Sequence, residues 1–346
     1  MPSAISVAIA SFNGARFILE QLESIAAQTM PPCEIVICDD GSSDGTIELI
    51  EKFASGAAFP VRLFRNERNL GYPDNFLKAA SLCRGEWIAF CDQDDFWAPI
   101  KIERVLETIE KYDDDKLLLV GHSSLVADEQ LQPTGRRTPD FKKDRMVRRG
   151  GHFGLYSVEG FSMVCRADLL AGVDADLRPK ITPSNPLPMA HDQWISTLAN
   201  AAGDLAYISE PLVIWRRHGK SVSAISLEEE VTQNSMQHQL GIGAASYRAL
   251  ALGTANFAIS LEAISTKKVG FMKDNFLQSA SKFRKMSQIY SARGKLYESC
   301  GFGGRLASFL SMIAMNAYFG DPYYKIGWRS FAKDLIFVTG LIADQK

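Results

Sequence analysis

Residues 34–46 read EIVICDDGSSDGT. The first six, 34–39, form a short apolar run suited to a strand buried on both faces. The run ends in Asp39, Asp40, Gly41 and Ser42, a turn composition. Ile47, Ile50 and Phe53 then recur at helical spacing, with Ser43 or Asp44 able to cap the helix. A strand that stops in a polar turn and hands over to a helix is the repeating unit of an α/β sheet.

The same unit recurs on either side. Ile5–Ala10 reads as a strand, followed by Ile18, Leu22, Ile25 and Ala26 on one helical face. Residues 61–65 form a third strand, with a helix through Phe76 and Ala80 after it. Residues 86–91 form a fourth strand. Pro99 sits where a helix can begin, and Ile102, Val105, Leu106 and Ile109 give its apolar face. Residues 117–121 form a fifth strand. Alternating strands and helices imply a mostly parallel sheet with helices on both faces. Between 126 and 160 the pattern loosens, and Arg136, Arg137, Lys142, Lys143, Arg145, Arg148 and Arg149 crowd together. A solvated loop and a flap over an anionic ligand both fit that stretch. Order returns with a short helix near Ala167–Ala171, a Pro-rich loop at 179–188, a helix at 190–202, and strands at 205–208 and 212–215. Residues 228–300 read as helical, and 301–343 as apolar, aromatic and basic. No internal repeat is visible.

Composition narrows the class. With 46% hydrophobic and 23% charged residues over 346, wholesale disorder is excluded. A formal charge of −2 gives no global attraction to nucleic acid. The charge is uneven, however. Residues 267–333 hold twelve Lys/Arg and three Asp/Glu, so an acidic body carries a basic C-terminal segment. The apolar uncharged runs Met1–Ala15 and Leu306–Gly320 fall short of the ~20 residues of a spanning helix. The first alternates as Ile5, Val7, Ile9 and has no cation before Arg16, which reads as a strand rather than a signal peptide. The six cysteines show no CxxC spacing, so free thiols in a reducing cytoplasm are expected.

In an open α/β sheet, ligands bind at the carboxyl ends of the strands. Here Ser11-Phe12-Asn13, Asp39-Asp40-Gly41-Ser42, Asn66 through Gly71, and Asp92-Gln93-Asp94-Asp95 all follow strands. Each alone is an ordinary turn; four together mark one crevice. Asp92, Asp94 and Asp95 repel one another unless a divalent cation or a helix start accounts for them. Asp95 suits a cap for the helix near Pro99. Asp92 and Asp94 point the same way if the segment is extended, and so suit a shared ligand. No GxGxxG follows the first strand and no GxxxxGK[ST] occurs, so neither a dinucleotide site nor a P-loop is expected. Trp97 and Trp194, and Phe161–Met163, suit either a ligand pocket or the core.

SFNGARFILEQLESIAAQT at 11–29, EIVICDDGSSDGT at 34–46, NLGYPDNF at 69–76 and FCDQDDFW at 90–97 resemble the N-terminal half of family 2 glycosyltransferases with the GT-A fold. EGFSMVCRADLL at 159–170, HDQW at 191–194 and EPLVIWRRHGKSVS at 210–223 resemble a bacterial branch that builds surface polysaccharides, with members described as rhamnosyltransferases or O-antigen and capsule enzymes. The resemblance covers residues 5–223. It implies that Ser11, Asn13, Asp39, Asp40 and Asn69 line a nucleoside pocket. It puts Asp92 near the ribose, Asp94 on a metal, Asp192 as general base, and His218 on the metal or diphosphate. SFN stands where the family has TYN, and Lys220 where it has Asn. The QxxRW motif of processive members is absent, so single-sugar transfer is expected.

Chemistry agrees with those roles. An acceptor hydroxyl loses a proton as it attacks the anomeric carbon, and a carboxylate can take it. A divalent ion can neutralise a nucleoside diphosphate leaving group. One base and one metal give single displacement with inversion; a carboxylate acting as nucleophile would give retention instead. The expectation is therefore an inverting, Mg²⁺- or Mn²⁺-dependent transfer from a UDP- or dTDP-linked sugar to a glycan or lipid-linked acceptor in O-antigen or capsule synthesis. The alternatives are a nucleotidyltransferase on a similar sheet and a non-catalytic nucleotide-sugar-binding protein; the first calls for a Gly-rich cationic loop after strand one, and the second has no need of Asp192. The expected organisation is a GT-A catalytic domain over 1–223, divided into a nucleotide-sugar-binding half (1–125) and an acceptor half (126–223). A helical C-terminal region follows over 224–346. The expected location is cytoplasmic, with peripheral placement on the inner face of the cytoplasmic membrane, and no nucleic-acid partner.

Overall fold

A computed structural model describes residues 4–112, 115–152, 158–182, 185–219, 243–321 and 325–339. Two compact units are present. One comprises Met1–Arg149, Leu155–Ala175 and Ala190–Ala224; the other comprises Gly150–Gly154, Asp176–Met189 and Ile225–Lys346. The expected boundary at 223/224 lies outside the described residues, as does Lys220.

The first unit begins with three turns of the alternating motif: β1 (Ile5–Ser11), α1 (Ile18–Ala26), β2 (Glu34–Asp39), α2 (Thr46–Gly56), β3 (Val61–Arg65) and α3 (Tyr72–Leu82). β4 (Trp87–Cys91), the two-residue β5 (Phe96–Trp97), α4 (Lys101–Tyr112) and β6 (Leu117–Ala127) follow. The basic stretch carries β7 (Pro133–Arg137) and β8 (Arg145–Val147). Then come β9 (Met163–Arg166), α5 (Ala167–Leu170), β10 (Lys180–Thr182), β11 (Asn185–Pro188), α6 (His191–Ala202) and β12 (Asp204–Arg216). β10 and β11 belong to the second unit, where they pair as a small antiparallel hairpin in the stretch expected to be a Pro-rich loop.

The sheet runs β3-β2-β1-β4-β9-β6-β12-β5, with β7 on β6 and β8 on β12. β3, β2, β1 and β4 are mutually parallel, and β12 is parallel to β6. β9 lies antiparallel between β4 and β6. The two strands expected at 205–208 and 212–215 are one strand, β12, whose register shifts around Pro211. Proline cannot donate to the ladder, so the strand bulges there instead of ending.

Burial follows from sequence. Every residue of β2 and β4 is buried, as continuous apolar runs in a doubly covered sheet must be. Ile5, Val7, Ile9, Ile35 and Ile37 pack with Ile18, Leu22 and Ile25 of α1 in the main core. Each such side chain contributes roughly 1.5–3 kcal/mol on burial. Trp97, Trp194 and Met163 are fully buried and Phe161 nearly so, and all four pack in the core. The six cysteines are free.

The second unit is helical beyond the hairpin: α7 (Ala244–Ser265), α8 (Gly270–Glu298), α9 (Phe302–Ala314) and α10 (Gly327–Val338). α7 and α8 run antiparallel, with Phe257 stacked on Phe283 at 5.2 Å and Tyr247 on Tyr297 at 5.5 Å. Ile289, Leu296, Phe309, Met312, Tyr318 and Phe337 form the core that α9 and α10 build against α8. The buried Asp334 carboxylate is satisfied there by Arg293, Tyr297 and Tyr318. Among the described residues no helix is long and apolar enough to cross a membrane.

Candidate active site

Parallel pairing brings the carboxyl ends of β1, β2, β3 and β4 to one edge. Asp39 closes the turn after β2. Its Oδ1 accepts the backbone N–H groups of Gly41 (3.1 Å) and Ser42 (2.8 Å), and its Oδ2 accepts the hydroxyl of Ser11 (2.8 Å). Asn13, at φ 48°, accepts the N–H of Ser43 on its Oδ1 at 2.9 Å and donates its own N–H to Ser42 Oγ at 2.8 Å. Asp44 serves the start of α2 by accepting the N–H of Thr46 at 3.2 Å.

Asp40 reaches sideways. Its Oδ1 accepts Leu70 N–H (2.8 Å) and Asn66 Nδ2 (2.8 Å), while Oδ2 accepts Gly71 N–H (2.8 Å). Gly71 has φ 80°, a conformation that favours glycine. Asn69 donates to the Asp40 carbonyl at 3.1 Å. The two aspartates of the DDGS turn therefore brace the loops after β1, β2 and β3, which orders the edge before any ligand arrives.

The loop after β4 is a tight turn, not the extended segment expected. Gln93 clasps the main chain of Phe12, accepting its N–H at 2.9 Å and donating to its carbonyl at 3.1 Å. A Cβ on Gly14 would stand 2.2 Å from Gln93 Oε1, so this clasp needs glycine. Asp94 turns toward the end of β12, where His218 Nε2 lies 2.8 Å from its Oδ2. Both side chains are largely covered, at 20% and 9% exposure. Asp95 does not cap α4. It is buried, and its Oδ1 accepts the N–H of Arg216 at 3.1 Å. Burial, then the charges of Asp92 and Asp94, hold its carboxyl well above the usual range.

Arg216 fastens this loop. Its Nε donates to the Asp94 carbonyl and its Nη1 to the Glu129 carbonyl, both at 2.7 Å. Nη2 pairs with Glu20, and the guanidinium lies 4.7 Å from the Phe17 ring centre. The side chain is 4% exposed. Beneath the loop, Lys101 is buried, donates to the Phe161 carbonyl at 3.0 Å and sits 3.5 Å from the Trp97 ring centre. Burial pulls its ammonium down to about 7, against the raising influence of Cys91, Asp95 and Asp92.

Asp92 keeps partial solvent access at its face but is otherwise surrounded by protein. That desolvation, then Asp94, then Asp192, push its carboxyl up to about 8. The influence of Asp192 is itself informative: two carboxylates a hundred residues apart in sequence share one electrostatic environment. Asp192 is the second residue of α6, after Ala190 as N-cap, and its Oδ1 accepts the Gln193 N–H at 2.7 Å.

The sequence-predicted residues thus fall into two groups within the first unit. Ser11, Asn13, Asp39, Asp40 and Asn69 form the braced loops; Asp92, Asp94, Asp192 and His218 form the acidic end. Arg216, Gln93 and Lys101 escaped sequence reading as site residues. Arg216 stands in the EPLVIWRRHGKSVS stretch with no role of its own assigned there. Lys101 shares a helical side with Val105 and Thr108, a weak sign of burial.

Comparison with known proteins fixes the class. The sequence profile described as Glycosyl transferase family 2 matches residues 6–170. An uncharacterized glycosyltransferase of Nostoc sp. is 36% identical over 246 residues, covering 69% of this chain and 72% of that one. An uncharacterized protein of Mycobacterium tuberculosis is 27% identical over 229 residues, covering 63% of this chain; the chain spans 60% of that relative's length. The crystal structure of S. aureus TarS 1–349 with UDP-GlcNAc superposes with a TM-score of 0.54 at 16% identity, covering 94% of this chain and 100% of that chain. The chain belongs to glycosyltransferase family 2 and has the GT-A fold.

Proposed function

We propose that this chain transfers a single sugar, with inversion, from a UDP- or dTDP-linked donor to a hydroxyl of a glycan or lipid-linked glycan. The setting is bacterial surface polysaccharide of the O-antigen or capsule type, with a hexosyl group, rhamnosyl included, as cargo. The observation that carries this reading is the 2.8 Å approach of His218 to Asp94 beside a carboxyl, Asp92, that responds to both Asp94 and Asp192. A UDP-linked donor is the first to test, since TarS, of the same fold, is crystallised with UDP-GlcNAc.

Asp192 takes the proton of the attacking hydroxyl. Its place in the first turn of α6, within electrostatic reach of Asp92, sets it at the acidic end of the crevice. The Gln193 N–H fixes its Oδ1. Ser11, Asn13, Asp39, Asp40 and Asn69 shape the nucleoside pocket, the two aspartates through the loops they brace. Asp92 stands toward the ribose.

The residues fit a divalent ion. Asp94 offers an oxygen and His218 a nitrogen, and crowded carboxylates that hold Asp92 near 8 mark a place where positive charge is favoured. Asp94 and His218 would hold Mg²⁺ or Mn²⁺, which supplies neutralisation of charge on the leaving diphosphate. Among the described residues no group of three or more His, Cys, Asp or Glu is arranged to hold an ion, so the other ligands fall to the donor and water.

A thermal-shift screen of UDP- and dTDP-sugars with and without Mn²⁺ tests this. Binding stabilises the folded state by mass action, so at least one donor should raise the Tm, and more with metal present. No shift with any donor, or shifts indifferent to metal, would contradict the proposal.

A further inference from the structure

α10 and the turn before it carry apolar side chains on the wrong side. Phe337 and Val338 are buried in the core of the second unit, as an amphipathic helix requires. Yet Trp328 is 66% exposed, and Leu335 and Ile336 are exposed as well. Trp328, Leu335 and Ile336 lie at i, i+7 and i+8, so they share an outer helical face. Phe319, 57% exposed, adds its ring 6.0 Å from that of Trp328. Contiguous exposed apolar surface of this kind marks an interaction site.

The charges around it name the partner. Lys325 and Arg329 are exposed beside Trp328. Over the described residues of 299–339 the acidic side chains are Asp321 and Asp334. Asp334 is fully buried on Arg293, and Asp321 lies 3.5 Å from Lys282. Among the described residues of this segment, the exposed cations and aromatic rings therefore have beside them no acidic side chain other than Asp321, which faces Lys282. A second copy would bring like charges together without an acidic counterpart. An anionic bilayer surface supplies what the patch lacks: phosphate at headgroup level for Lys325 and Arg329, and an apolar boundary for tryptophan and phenylalanine. α10 spans twelve residues, which suits lying along the interface, not crossing it.

We infer that the second unit docks on anionic phospholipid bilayers through the outer face of α10, with Trp328 and Phe319 as apolar anchors and Lys325 and Arg329 as phosphate contacts. This does not depend on which donor or acceptor the first unit uses.

The chain of residues 1–346 is sedimented with vesicles of phosphatidylcholine, with and without phosphatidylglycerol. It should pellet with the anionic vesicles at low salt and be released at high salt. Lys325→Glu with Arg329→Glu should weaken anionic-vesicle binding at least about tenfold, since each basic residue near the surface adds measurably to the attraction. Trp328→Ser should weaken it too, and should remove the blue shift of tryptophan emission that vesicles induce in the wild type. Unchanged melting curves certify that the variants fold, and unchanged donor binding separates this inference from the catalytic reading. Failure to pellet, equal pelleting with neutral vesicles, or indifference to the charge reversal would overturn it. So would a salt-insensitive dimer that Trp328→Ser dissolves, which would assign the face to a second copy.

Discussion

Nε2 of His218 lies 2.8 Å from Oδ2 of Asp94, joining the first residues beyond β12 to the turn after β4. These two strands are not neighbours in the sheet; β9 and β6 lie between them. The contact therefore closes the acidic end of the crevice from its far side, and Arg216 holds the backbone that makes it possible.

His218→Ala should leave the fold intact and weaken the metal requirement's specificity. An imidazole ligand favours Mn²⁺ over Mg²⁺, so its loss should narrow the difference between the two ions and raise the half-saturating Mn²⁺ concentration by ~10–100-fold. Metal titrations of turnover check this. An unchanged Mn²⁺ curve would remove His218 from the metal.

Arg216→Ala should cost about 3 kcal/mol of stability, because a buried guanidinium leaves two carbonyls and the Glu20 carboxylate without their donor. Donor and metal affinity should fall together, since the Asp94 turn loses its anchor. Arg216→Lys should restore little, because lysine cannot supply the same fork of donors. Chemical denaturation and titration calorimetry read both effects.

Lys101 gives a pH signature. Its ammonium is held near 7 in the folded chain, against an ordinary value of 10.5. Between those values the unfolded chain binds the extra proton, so stability contributed by this residue rises with pH across the window. Below 7 both states are protonated and the contribution is flat. Cys91, Asp92, Asp95 and His122 face it electrostatically. The comparison is therefore made with Lys101→Met, which retains the volume. Wild-type stability relative to Lys101→Met should climb from pH 7 to 10; a flat difference would contradict the buried-lysine reading.

Much of this was legible in sequence because the alternating strands, helices and turns obey local rules. The four polar strand ends were found by position alone, since parallel pairing forces them to one edge. β9 was not found: Met163–Arg166 is four residues between longer signals, and only its antiparallel slot between β4 and β6 makes it a strand. β12 was read as two strands because Pro211 interrupts the pattern, and the neighbouring β6 carries it across the bulge. Asp95 was expected at a helix cap because capping is a local effect, whereas its partner, Arg216, is far along the chain. Lys101 was hidden for the same reason. Its burial is created by Trp97 and Phe161, and nothing in the amphipathic pattern of α4 announces them.

The most direct test of the catalytic assignment is turnover by Asp192→Asn. Asparagine keeps the size and the helix-start position but cannot take a proton. With donor and metal binding measured separately by calorimetry, the account predicts donor and Mn²⁺ affinities within about twofold of wild type and transfer slowed by ~10²–10⁴-fold. Transfer at a near-normal rate would contradict it, and the base would have to be sought elsewhere.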